Sequence, residues 1–324
     1  FSQRHGDGSD PRLFTYGPLA PAHSCVAPTA FLDRPLPLPT ADLSFTWSEL
    51  ADAWANPSRH FCRHALELRL TTDSDPLAEH EPLDLDGLAG FHLRTWIAER
   101  LRVGATTEQL RPLAEAQGVL PVGRLGDAAF ANACQEAAQV IARLGASLPA
   151  PPVVLDLHGE GWRLGGVLDR CTDAGLLFWR AGALREQDLL QAWVAHLALQ
   201  DDQDTRLVGL DRSLRFHPVT EASAILADLA CGYRDGLTRP LPLFLRAGHA
   251  YFSQVRKPGK IAPLDKARQA WSGNDFTPGA DREDPYTARC WNHLEQPLDA
   301  HRDEFIALAH RLWEPLFDAL EEET

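Results

Sequence analysis

Val153-Val154-Leu155-Asp156-Leu157-His158, the turn Gly159-Glu160-Gly161, and Trp162-Arg163-Leu164-Gly165-Gly166-Val167-Leu168-Asp169 decide how the rest of this chain is read. Both flanking runs alternate, the period of a strand with one face on a core, and a glycine turn joins them. This predicts a β-hairpin. Residues 175–181 are a continuous apolar run, as a central strand requires. A helix over 186–199 and a fourth strand over 205–210 follow. With a helix at about 126–145 in front, the order is helix, three strands, helix, strand, which makes an α/β (α+β) sandwich on one mixed sheet.

Working outward, residues 1–40 are rich in Pro and Gly and read as an irregular connector, ending in Arg34-Pro35-Leu36-Pro37-Leu38-Pro39. Residues 41–150 read as a helical region packed on the core. A short helix is capped by Ser48, and Asn56-Pro57 restarts a second. A strand-like segment spans 66–71, and an acidic loop spans 72–86. An amphipathic helix at 86–103 and helices at 106–117 and 126–145 follow, closed by Pro149, Pro151 and Pro152. Residues 151–324 hold the α/β core and C-terminal helices at 219–235, 262–272 and 298–321, with a basic loop region between the first two. The whole reads as one structural domain.

The chain has 324 residues, 44% of them apolar, enough for a sizeable core in one large or two smaller domains. Its net charge of −14 argues against a general nucleic-acid binder, so any DNA contact is local. No apolar run reaches the roughly 18 residues of a membrane span. Six cysteines stand far apart with no C-x-x-C pair, the pattern of small buried thiols in a reducing compartment, and the cytoplasm is expected. Phe1-Ser2-Gln3-Arg4 opens without a signal-peptide core, and the chain reads as a piece of a longer protein.

The order helix, three strands, helix, strand resembles the restriction-endonuclease-like, PD-(D/E)XK-type nuclease core. Such nucleases hold Mg²⁺ between an Asp on the second strand and an acid on the third, with a Lys two residues on. A hard cation needs carboxylate oxygens, and the pleat sets acid and Lys on one face. Asp169 stands at the first acid. On the third strand Phe178 takes the place of the second acid and Arg180 that of the lysine, and an arginine does not act as a neutral base. The following helix keeps Gln191 but carries Ala195 where RecB-type nucleases have a tyrosine. The core reads as catalytically degenerate, with no metal and no cofactor. An active Mg-dependent nuclease with a relocated acid, Asp173 or Glu186, is the alternative, and a purely structural partner-binding domain is a third reading.

Several short motifs then occur in order. They are Trp54-Ala55-Asn56-Pro57-Ser58-Arg59-His60-Phe61, Leu83-Asp84-Leu85-Asp86-Gly87-Leu88, Gln191-Ala192-Trp193-Val194-Ala195-His196-Leu197 and Arg239-Pro240-Leu241-Pro242-Leu243-Phe244. Ala270-Trp271 with Gly273 and Glu283-Asp284-Pro285-Tyr286 complete the set. Together they resemble the C-terminal region of the RecC family, the gamma subunits of exodeoxyribonuclease V, a RecBCD-type helicase–nuclease. The resemblance implies an inactive nuclease-like domain that helps split duplex DNA and packs on the motor subunits. It implies RecB-like and RecD-like partners, double-stranded or forked DNA as ligand, and a role in double-strand-break repair and homologous recombination. The family's Chi-reading domains would precede Phe1.

All three lysines of the chain fall within ten residues. Arg256, Lys257, Lys260, Lys266 and Arg268 are therefore the DNA-contact candidates, with Tyr251 and Phe252 placed to stack on bases. His60 and His64 flank Cys62 at zinc-like spacing but lack further ligands, and read as a partly exposed helix face. No P-loop, dinucleotide fingerprint or nucleophile elbow is present in the sequence.

Overall fold

The computed structural model describes residues 30–39, 41–70, 85, 87–273 and 280–323. The 1–40 connector lies mostly outside these, as does the acidic loop 72–86 with Leu83, Asp84 and Asp86 of its motif. The chain is a mixed α+β fold. Strand β1 (Leu43–Thr46) runs into α1 (Trp47–Ala55), followed by α2 (Pro57–His60) and a π-turn at Phe61–Ala65. Thr46, not Ser48, caps α1. Its hydroxyl accepts from Glu49 N at 3.2 Å while Glu49 Oε2 accepts from Thr46 N at 2.7 Å, a capping box that starts the helix one residue before Ser48. Asn56 ends α1 and caps α2 through Arg59 N, with Pro57 at the first helical position, as its sequence requires.

The strand expected at 66–71 does not form over its described residues. Leu66 N and Leu68 N donate back to Phe61 O and Cys62 O, and Glu67 takes a φ of 53°, so the segment closes the π-turn and offers no ladder donors.

Helices α3 (Gly87–Arg102), α4 (Thr107–Ala116) and α5 (Arg124–Leu144) follow near the expected bounds, then β2 (Val153–Gly159) and β3 (Trp162–Leu168) as the hairpin. Strand β4 (Cys171–Thr172) and β5 (Gly175–Trp179) lead to α6 (Glu186–Leu199), β6 (Thr205–Val208) and β7 (Ser213–Phe216). Two sheets stand where one was expected, ordered β1-β3-β2 and β4-β5-β6-β7, with the last extended by β8 (Leu320–Glu323). Strand β3 leaves β1 after Gly165 but stays paired with β2 through Leu168, and Gly166 takes a φ of 128° that suits only glycine, with Trp47 Cδ1 3.4 Å from where a Cβ would stand. Pairing resumes at Cys171 against β5. That strand is central, antiparallel to β4 and parallel to β6 through the α6 crossover.

Helix α7 (Ala222–Asp235) leads to α8 (Leu245–Arg256), which replaces much of the expected basic loop region. Ala247 and Tyr251, and Gly248 and Phe252, lie one helical turn apart and are buried. After α9 (Pro263–Ser272), α10 (Pro285–Trp291) and α11 (Pro297–Ala300), α12 (Arg302–Ala319) gives way to β8, so the final helix ends short of 321. Glu323 bridges Arg206 and Arg215 on the neighbouring strands, and Glu321 meets His217, which holds the chain end as a strand.

Of residues 41–150, β1 and α1 lie in the main core with α6, α7, α8 and α12, whereas α3–α5 gather Leu93, Ile97, Leu110 and Phe130 in a core of their own. Trp179 packs between this helical core and a small seam of Val140, Leu144, Leu177 and Val208.

Helix α7 meets α1 at one tight point. Trp54 donates its indole N–H to Leu229 O at 2.9 Å, and a Cβ on Gly232 would sit 2.2 Å from the Trp54 ring. Gly232→Ala is therefore expected to cost about 1–3 kcal/mol by overpacking, read as a lower urea midpoint at unchanged slope.

Candidate functional site

The C-terminal end of β5 gathers the residues singled out for nuclease chemistry. Leu177 N donates to Arg170 O at 2.9 Å, continuing the register that pairs Cys171 with Leu176. Asp169 lies two residues before this ladder begins. Asp169 is exposed at the gap between β3 and β4. Phe178 is 4% exposed and belongs to the main core, with the Trp47 ring edge-on at 6.2 Å and the Arg170 guanidinium 4.9 Å from its centroid. Trp47 is fixed there by its indole N–H to Val167 O. A carboxylate at Phe178 would be buried among rings, where its ionised form is costly.

Arg180 lies on the same face of β5, two residues on. Its guanidinium stacks 4.2 Å above the Phe91 ring, and its Nε is 3.7 Å from Asp188 Oδ2, too long for a hydrogen bond. Burial lowers its pKa, Asp188 raises it, and the nearby charges of Arg185 and Arg94 lower it further. Gln191 is half-buried on α6, and Ala195 is fully buried in the core.

Asp173 and Glu186, the acids available for relocation, have other partners. Asp173 Oδ1 accepts from Leu148 N at 3.0 Å, and Glu186 Oε1 lies 3.7 Å from His249. Among the described residues no group of three or more His, Cys, Asp or Glu is placed to hold a metal ion.

The basic candidates divide. Lys257, Lys260 and Lys266 are exposed around the α8–α9 turn. Arg256 is paired with Asp318, and Arg268 with both Asp265 and Asp299. Tyr251 and Phe252, read as base-stacking rings, are buried against Phe305, His310 and Phe317 instead, because α8 turns them inward.

His60, read as part of a half-exposed face, is buried with its ring nitrogen 3.0 Å from Tyr233 O, and burial pushes its pKa down to about 4. Cys62 faces Cys290 at 3.7 Å between sulfurs, a pairing no spacing in the sequence signals.

The short motifs turn out to be architectural. His196 bonds Thr205 Oγ1 at 2.9 Å and His217 O at 3.0 Å, tying α6 to β6 and to the end of β7. Trp271 packs on Phe244 with centroids 4.4 Å apart, and Asp284 caps α10 through Tyr286 N and Thr287 N. Tyr286 in turn accepts from Arg63 Nε and Leu70 N. Arg170 and Trp47, which frame Phe178, were missed by sequence reasoning. Only the hairpin register points to Arg170, and nothing local points to Trp47.

The family model for the RecC C-terminal domain matches residues 42–256. The RecBCD enzyme subunit RecC of Escherichia coli (strain K12) is 29% identical over 301 residues, covering 88% of this chain and 26% of that protein. Its counterpart in Mycobacterium tuberculosis (strain CDC 1551 / Oshkosh) is 27% identical over 343 residues, covering 96% of this chain and 31% of its own length. In Buchnera aphidicola subsp. Schizaphis graminum the counterpart is 23% identical over 263 residues, covering 76% and 24%. The chain thus spans 24% to 31% of the length of these relatives. It belongs to the RecC C-terminal domain family.

Two substitutions separate a core residue from an exposed one at this site. Phe178→Ala is expected to cost about 3–5 kcal/mol through the cavity it leaves. Asp169→Ala should stay within about 0.5 kcal/mol, both measured by urea unfolding.

Proposed function

From membership of that family, we propose that the chain is a non-catalytic DNA-handling and scaffolding part of a RecBCD-type helicase–nuclease, acting in double-strand-break repair and homologous recombination. The observation that carries this reading is the family match over residues 42–256, joined to a nuclease-like element order whose second-acid position is a core phenylalanine. Helix α5, the strands β2 to β5, helix α6 and β6 come near the order of a restriction-endonuclease-like core, with four strands over two sheets where that core has three. In that frame the residues at the end of β5 do not fit a Mg²⁺ ion. Asp169 offers one carboxylate, Phe178 offers none, and Arg180 brings a fixed positive charge.

RecB-like and RecD-like subunits and double-stranded or forked DNA are the partners this reading assigns. The division into a 1–40 connector, a 41–150 helical region and a 151–324 nuclease-like core belongs to it as well. Lys257, Lys260 and Lys266 are its DNA contacts, because they are exposed while Arg256 and Arg268 are held by acids. An arginine engaged by carboxylates has less to offer a phosphate. Asp173 and Glu186 are engaged elsewhere, which favours the inactive reading over a nuclease with a relocated acid.

The purified chain is expected to leave a forked duplex intact in Mg²⁺ or Mn²⁺, with Asp169→Ala no different. Metal-dependent cleavage that Asp169→Ala abolishes would overturn the reading. The variant with Lys257, Lys260 and Lys266 all changed to Ala should bind the fork more weakly. Its slope of log affinity against log salt should shrink by about two to three. Unchanged affinity and slope would remove the loop as a contact.

A further inference from the structure

Cys62 and Cys290 are 228 positions apart in the chain, yet their sulfurs stand 3.7 Å apart inside the main core. Cys62 is fully buried and Cys290 nearly so. Three polar pairs join the same two segments, α2 with its π-turn on one side and α10 on the other. Arg59 donates to Asp284 Oδ2 at 3.0 Å, Arg63 Nε to Tyr286 Oη at 3.1 Å, and Trp291 Nε1 to Ser58 Oγ at 2.9 Å. The fold therefore holds the sulfurs together before any bond forms, and the entropy of bringing them together is already lost on folding. A disulfide needs about 2.0 Å between sulfurs, so roughly 1.7 Å remains to close. Cys171, by contrast, gives its S–H to Leu168 O, and Cys231 is exposed.

The two thiols are not equivalent. With Cys290 as donor, the hydrogen bond between them lowers the Cys62 pKa; burial opposes this and the Arg289 charge adds to it. The same hydrogen bond, together with burial, raises the pKa of Cys290. Cys62 is thus the sulfur that reaches the reactive thiolate form first.

We propose that Cys62 and Cys290 form a peroxide-sensitive dithiol that closes to a disulfide and fastens α10 to the π-turn. The Cys62 thiolate attacks one peroxide oxygen, the O–O bond breaks, and the hydroxide that leaves takes up the proton Cys62 released, giving water. Cys62 is then a sulfenic acid. The Cys290 sulfur attacks it, the S–O bond breaks, and the leaving hydroxide takes the Cys290 proton as a second water. The sulfur pair loses two electrons and the peroxide gains them. A dithiol reductant reverses the bond by exchange. Burial keeps bulky oxidants out, so the pair answers to a small one. The bond spans 228 positions, and so constrains the unfolded chain and stabilises the folded one. Its ends lie in or beside two of the short motifs, at 54–61 and 283–286, and oxidation locks the seam those motifs build.

The test treats the folded full chain with hydrogen peroxide, caps free thiols with a maleimide in denaturant, and digests without reductant. A joined peptide pair holding Cys62 and Cys290 is expected, and dithiothreitol should release it. The melting temperature should rise by about 3–7 °C on oxidation and return on reduction. Cys62→Ala and Cys290→Ala should each lack both the joined peptides and the shift, and melting of the untreated variants checks that they fold. The peptide map of the unmodified chain decides the matter even if they do not. Cys62 and Cys290 both still open to maleimide after peroxide would overturn the proposal. So would Cys62 driven to sulfinic acid without joining Cys290. A joined pair that forms only when urea is present would also overturn it, since the contact would then not come from the fold.

Discussion

Helix α6 is buried on nearly every side, and the rest of the molecule is arranged to cover it. Nine of its fourteen residues are buried, a distribution found only where a helix runs through a core. The sheet of β5, β6 and β7 lies on one side, with α1, α7 and α8 around the others. Its one buried titratable group, His196, is satisfied by Thr205 and by His217 O, so the helix is fixed to the sheet by direction as well as by packing. Burial lowers the His196 pKa and keeps the imidazole neutral, which suits a ring placed between Trp193 and Phe216.

That arrangement explains why the strand end beside α6 takes apolar residues without disturbing the fold. Phe178 points to the α6 face of β5, where Trp47 from the α1 start closes over it. A phenylalanine here adds to the core what a carboxylate would take from it, since burying an unpaired charge is costly and burying a ring stabilises. Arg170 then lies on the face of Phe178 and Arg180 on that of Phe91.

The far side of the sheet is closed by charge. Glu323 accepts from both Arg206 and Arg215, and these pairs hold β8 against β7. Half-buried and shared between two guanidinium groups, the Glu323 carboxylate stays ionised, its pKa raised by desolvation but lowered more by Arg206 and Arg215. The terminal acids Glu321 and Glu323 thus act as strand residues, although the apolar period of α12 runs straight into them.

Much of this was legible in the residues themselves. The alternation at 153–168, the apolar run at 175–179 and the periodic stretches of α3, α5 and α6 are local signals, and they specify elements because burial acts on each face separately. The short motifs were legible too, but as family marks. Trp54, Asn56, His196, Trp271 and Asp284 cap, restart or pin elements, and such roles demand one residue type at one place. What the local pattern could not decide was partnership. The pairing of β3 with β1, the π-turn after Phe61, the inward turn of Tyr251 and Phe252, and the conversion of the last turn into β8 each depend on a neighbour far along the chain. The same holds at the strand end. Sequence alone determined that an apolar residue and an arginine stand two apart at 178 and 180. Tertiary structure alone decided that Trp47 comes from the start of α1 to close over that phenylalanine, because only packing brings residues so distant in the chain into contact.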